Sequence, residues 1–206
     1  DWNVTESIDS AKFYRVISYE RGTPSGKVVD YYFEKCKDAV DSFNSGKDYY
    51  DQNKFDEAII EFDKSILYDP NLDDDAYYYR GVSYYGLSKY KLAIKDLDIS
   101  ISTWPNYRSP YYYRGLCQLE LENYQEALSD FNKYINLSEI QALTIDEEYN
   151  NVYMQRAFCY YITGQLDFAL TDYSTSISKW PNQRLAYKLR GELNYQLEDY
   201  YLASDD

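Results

Sequence analysis

The sequence contains no histidine, and it is poor in cysteine (3), proline (5), glycine (8) and methionine (1) over 206 residues. Without an imidazole there is no histidine-based general acid or base and no Ser-His-Asp or Cys-His nucleophile. Cys36, Cys117 and Cys159 are scattered and form no CxxC or CxxH pair. Neither a disulfide framework nor a zinc site is therefore expected, and a sparse, odd set of thiols fits a reducing compartment. No apolar run approaches the roughly 18 residues of a membrane-spanning helix. Basic side chains are also in short supply: 21 Lys and Arg face 35 Asp and Glu, a formal charge of −14. Such a field opposes nucleic-acid backbones and anionic membrane surfaces, and favours neutral or basic partners.

What the chain has in quantity is aromatic surface. Aromatic residues make up 19% of it, and 28 of them are tyrosines. That is ample apolar area for a packed core and excludes a disordered composition.

Residues 1–27 differ from the rest. A helix is expected over Glu6–Glu20, capped by Thr5 and carrying Ile8, Phe13, Val16 and Ile17, before Gly22-Thr23-Pro24-Ser25-Gly26 breaks it. It reads as an accessory helix covering the first of the later helix pairs, or as a tail. Helical periodicity then runs from Val28 to about Gln52 and from Phe55 to Tyr68, with only Asn53-Lys54 between. A turn that short forces an antiparallel hairpin.

The hairpin recurs. Gly46, Gly81, Gly115, Ala157 and Gly191 succeed one another at intervals of 35, 34, 42 and 34 residues. Twelve residues after each stands Ala58, Ala93, Ala127, Ala169 and Ala203, and four beyond the first four stands Phe62, Leu97, Phe131 and Tyr173. Small residues let two helices cross closely, and a large one fills the space between them. Trp104-Pro105-Asn106 reappears as Trp180-Pro181-Asn182, and Pro70, Pro105 and Pro181 each stop a second helix.

This pattern, from about Ala39 to Ala203, resembles the tetratricopeptide repeat. The resemblance implies an all-α fold, a right-handed superhelical solenoid of antiparallel helix pairs occupying residues 28–206. Repeats are expected at about 39–73, 74–107, 108–141 (with 142–149 inserted), 150–183 and, in part, 184–206. The insertion should lengthen the second helix of the third repeat before looping out. Acidic runs at Asp73-Asp74-Asp75 and Asp146-Glu147-Glu148 read as helix starts. Tyr90, Tyr124 and Tyr200 are expected to open second helices.

Two sets of side chains recur in register. Arg80, Arg114, Arg156 and Arg190 precede the small residue, and Asp96, Asp130 and Asp172 precede the large one. These read as a structural ladder of pairs locking neighbouring helices. Tyr77, Tyr111, Tyr153 and Tyr187 share a register that reads as packing, as do Tyr84 and Tyr160. Cys117 and Cys159 read as small buried hydrophobes. In the resembling family the first helices line a concave groove, which would be walled here by Tyr50, Tyr78, Tyr85, Tyr112, Met154, Phe158, Tyr161 and Tyr195. The family's clamp for acidic chaperone tails would need basic and amide residues where this chain has Phe43, Lys47, Tyr79, Ser109 and Tyr113. An acidic tail is therefore not the expected ligand.

The function expected is a non-enzymatic interaction scaffold or adaptor with no cofactor or metal, binding a neutral or basic polypeptide in an aromatic, acidic groove. Two alternatives stand beside it. One is an extracytoplasmic lipoprotein or envelope assembly factor that binds glycans, its leader removed before Asp1. The other is the targeting arm of a larger enzyme. A cytoplasmic location is favoured over a periplasmic or lipid-anchored one. Apolar surface at Tyr187, Leu189, Leu193 and Leu197 suggests self-association through the last repeat.

Overall fold

The computed structural model describes the backbone of residues 26–68, 74–140 and 147–204, and the side chains within it of residues 37–68, 75–140 and 151–197. The helix expected at Glu6–Glu20, Pro70 and the loop of the insertion lie outside the described residues. Those described hold nine helices and no strand: α1 (Gly26–Asp51), α2 (Phe55–Tyr68), α3 (Asp74–Gly86), α4 (Tyr90–Thr103), α5 (Ser109–Glu120), α6 (Tyr124–Ile140), α7 (Glu147–Ile162), α8 (Leu166–Lys179) and α9 (Arg184–Ser204). None of them is long and apolar enough to cross a membrane. The chain divides into two compact units, 1–76 and 77–206, with the division inside α3.

Each hairpin turn is built the same way. Asn53, Ser88, Glu122 and Gly164, each seven residues after the small residue, adopt left-handed backbone with φ of 58°, 58°, 62° and 76°. The next N–H then donates back to the carbonyl five residues earlier: Lys54 to Tyr49 (2.9 Å), and Lys89 to Tyr84, Asn123 to Gln118 and Gln165 to Tyr160 (each 2.8 Å). This closure satisfies carbonyls that the end of a helix would otherwise expose. Only Gly164 adopts it without a Cβ penalty, so the other three turns are held against roughly 1–2 kcal/mol of local preference by the packing of the next helix.

In the first unit, α1 packs on α2 through Ala39, Gly46, Ala58, Ile59 and Phe62, all buried. A Cβ on Gly46 would lie 2.6 Å from a Phe62 ring carbon, which is why this crossing requires glycine. In the second unit, Gly115 meets Phe131 in the same way at 2.7 Å, and Gly81 meets Leu97 at 3.1 Å. One cluster of buried side chains joins Tyr111, Tyr112, Leu116, Phe131, Tyr134 and Ile135 to Val152, Tyr153 and Cys159. Burying each large side chain contributes about 1.5–3 kcal/mol. A further cluster joins Ala157, Ala169, Tyr173 and Leu193.

Three features bear on what the sequence suggested, the long α6 in line with it and the other two departing from it. α6 has 17 residues, where α2, α4 and α8 have 14, and Leu137 and Ser138 in its extension are buried. Tyr200 does not open a second helix, because α9 runs unbroken through it to Ser204. A left-handed turn at the aligned Glu198 would be unfavourable without a return helix to offset it, and nothing lies within 4 Å of a Cβ on Gly191. Leu193, expected as open apolar surface, is instead buried on Ala157, Ala169 and Tyr173, with Leu189 and Leu197 partly buried beside it. Tyr187 does stand exposed, at 45%.

Candidate functional site

The first helices of the second unit, α3, α5, α7 and α9, bring two systems of side chains into register. The first is an arginine ladder. Arg80 donates through Nε and Nη2 to the Asp96 carboxylate at 2.7 Å each, Arg114 to Asp130 at 2.8 and 2.6 Å, and Arg156 to Asp172 at 2.7 Å each. These forked contacts match the planar guanidinium to the planar carboxylate. The carboxylates are buried, and burial pushes the Asp130 and Asp172 carboxyls upward while the arginines pull them back. Arg114 in turn is raised by its hydrogen bond to Asp130.

Two further kinds of contact made by these arginines went unread in the sequence. One reaches the second helix of the preceding hairpin: Arg114 to Asp98, Arg156 to Asn132 (2.6 Å) and Arg190 to Ser174 (3.4 Å). The other places each guanidinium over the tyrosine three residues earlier, on Tyr77, Tyr111, Tyr153 and Tyr187, at 5.4–5.7 Å from the ring centroid. The signal was present as a Tyr-x-x-Arg spacing repeated four times, which puts both residues on one helix face.

The second system is a tyrosine network. The Tyr78 ring meets Tyr79, Tyr107 and Tyr113 edge-on at 5.1, 5.2 and 6.1 Å between centroids. Tyr113 meets Tyr85 at 5.9 Å and Tyr112 at 5.3 Å, and Tyr112 continues to Tyr134 at 5.5 Å. Edge-to-face geometry of this kind adds about 0.5–1.5 kcal/mol per pair beyond burial. It also removes rings from solvent: Tyr78 and Tyr112, read from the sequence as groove residues, are only 6% exposed and serve as packing beneath the face.

Of the other groove residues, Tyr85, Met154 and Tyr161 are partly buried in the second unit, and the Tyr161 hydroxyl accepts a bond from Gln196 Nε2 at 3.3 Å. Phe158 and Tyr195 are exposed, at 40% and 67%. Tyr50 belongs to the first unit, where it is partly buried 6.0 Å from Phe55. The open apolar surface the sequence did not single out includes Trp104, Ile162 and Leu185. Cys117 and Cys159 are fully buried, and burial pushes both thiols up to about 12, so neither presents a thiolate near neutrality.

Helix hairpins closed by identical turns and, in the second unit, pinned by one Arg–Asp fork each define an all-α helical repeat protein. The model of the family described as anaphase-promoting complex, cyclosome, subunit 3 matches residues 51–134. Among solved structures, the crystal structure of MamA protein aligns with a TM-score of 0.65 at 21% identity, covering 79% of this chain and 89% of that one. YrrB, described as a TPR protein with an unusual peptide-binding site, aligns with a TM-score of 0.67 at 22% identity, covering 80% and 81%. The first TPR of Spaghetti (RPAP3), bound to the HSP90 peptide SRMEEVD, aligns with a TM-score of 0.55 at 22% identity, covering 63% and 95%. No curated protein matches the chain. The chain has the tetratricopeptide-repeat fold, an all-α, TPR-like solenoid of helix pairs.

Proposed function

We propose that the chain is a non-enzymatic scaffold that binds a neutral or basic polypeptide across the first-helix face of its second unit. The observation that carries this reading is the exposure of Phe158 and Tyr195 on α7 and α9, large apolar side chains that the core leaves to solvent. The partly buried rings of Tyr79, Tyr85 and Tyr113 lie on the first helices α3 and α5. Rings braced against one another offer contact area at low conformational cost, the usual property of binding anchors. Two structural neighbours support it by their descriptions, one bound to a peptide and one with a peptide-binding site. The formal charge of −14 selects against acidic partners.

Titration of the intact chain with display libraries of basic and of acidic peptides tests this. Saturable binding is expected for basic peptides carrying apolar anchors, and weaker binding for acidic ones. Absence of saturable binding in both sets, or a preference for the acidic set, would sink the reading.

A further inference from the structure

The tyrosines of the second unit divide by what lies on their rings. Arginines cover Tyr77, Tyr111, Tyr153 and Tyr187, Arg108 covers Tyr134 at 5.3 Å, and Lys89 covers Tyr84 at 6.0 Å. Among the described residues no lysine or arginine of the chain stacks on Tyr85 or Tyr90. Their ring centroids are 6.0 Å apart with planes tilted by 47°, and Tyr113 lies 5.9 Å from Tyr85 at 66°. The Tyr90 hydroxyl donates to the exposed carboxylate of Glu120 at 3.4 Å. Burial raises the Tyr85 phenol first, and the negative charge of the Glu120 carboxylate raises it further.

Ring faces carry partial negative charge, and a carboxylate beside them adds a full one. Such a set attracts a cation and repels a carboxylate. Elsewhere in the same unit the chain fills this kind of site with its own arginines. We propose that Tyr85, Tyr90, Tyr113 and Glu120 form an anchor for the cationic head group of a lysine or arginine side chain presented by a bound polypeptide. The proposal rests on the reading of this helix face as a polypeptide-binding surface and adds the chemistry of one recognised side chain.

The test uses the intact chain and two peptides that differ in one group: Ac-Gly-Leu-Lys-Leu-Gly-NH2, and the same peptide with norleucine for lysine, at constant ionic strength. Tetramethylammonium serves as the cation alone, read by NMR of ring-labelled tyrosines. The lysine peptide is expected to bind at least about fivefold more tightly than the norleucine peptide. Glu120→Gln, which changes an exposed side chain, and Tyr90→Leu should each reduce that ratio below about twofold, and tetramethylammonium should shift the Tyr85 and Tyr90 ring signals. Equal binding of the two peptides, or a ratio that survives both substitutions, overturns the anchor while leaving polypeptide binding in place. If neither peptide binds yet tetramethylammonium moves those rings in the parent chain and not in Glu120→Gln, the anchor stands and the polypeptide reading falls. If neither peptide nor cation moves them, the anchor is overturned.

Discussion

Replacing each crossing glycine by alanine makes the same chemical change in four different environments, and the structure ranks the outcomes. Moving glycine to alanine inside a helix gains about 1 kcal/mol from the backbone alone. At Gly191 nothing lies within 4 Å of the added Cβ, so Gly191→Ala should keep that whole gain. At Gly115 the new methyl would lie 2.7 and 2.9 Å from two carbons of Phe131, a ring with no exposed surface into which to retreat. Overpacking a closed core costs about 1–3 kcal/mol, and two contacts this short belong in the upper half of that range. The net result for Gly115→Ala is a loss of about 1–2 kcal/mol, and Gly46→Ala, at 2.6 Å from Phe62, should behave alike. Gly81→Ala meets Leu97 at 3.1 Å and falls between. Urea unfolding monitored by circular dichroism, with midpoints compared at a common slope, gives the order directly. Adding Phe131→Leu to Gly115→Ala should recover part of the loss by giving the methyl room. A Gly115→Ala variant as stable as Gly191→Ala would refute the close-crossing argument.

Other outcomes rest on groups already placed. Arg114→Ala strands the Asp130 carboxylate in a buried site and should cost about 3 kcal/mol, whereas Arg114→Met with Asp130→Leu should recover most of it in the same unfolding assay. In a Cys36→Ser background, Cys117 and Cys159 should stay unreactive to a disulfide reagent at pH 8 until urea unfolds the chain, because their thiols are protonated up to about 12. The same two thiols and Tyr173, also raised to about 12, fix the sign of the alkaline response. Between the ordinary values of 9.0 and 10.0 and about 12 the unfolded chain loses these protons first. Stability is then full below pH 9 and falls as pH rises to 12; a flat unfolding midpoint across that window would contradict their burial. Phe158→Ala and Tyr195→Ala should each weaken peptide binding measured by fluorescence anisotropy by about fivefold or more, while moving the urea midpoint little, since both rings are exposed.

The helices and their crossings were legible because they rest on local spacing. Small, small and large residues at fixed offsets can meet only across a hairpin, and Phe62, Leu97, Phe131 and Tyr173 lie where that spacing requires. The division of labour among tyrosines was less legible. Register alone put Tyr78 and Tyr112 on the open face, because side-chain direction along a helix says nothing of rings arriving from Tyr107 or Tyr134. The failure at Tyr200 has the same origin: the sequence showed a second-helix pattern starting there, but a left-handed turn survives only when a packed return helix offsets it. The anchor at Tyr85 was visible only in part, since Tyr90 and Glu120 approach from different hairpins.

The arginine ladder also sets an order of disassembly. Arg114, Arg156 and Arg190 are each shared between hairpins, so within the second unit none of these opens without disturbing its neighbour. The link backward weakens along the chain, from an ion pair at Asp98 to a neutral amide at Asn132 and a long hydroxyl contact at Ser174. The second unit should therefore fray from α9 inward, its amide protons exchanging fastest there and slowest in α5, so that the end carrying Tyr195 is the softest part of the face.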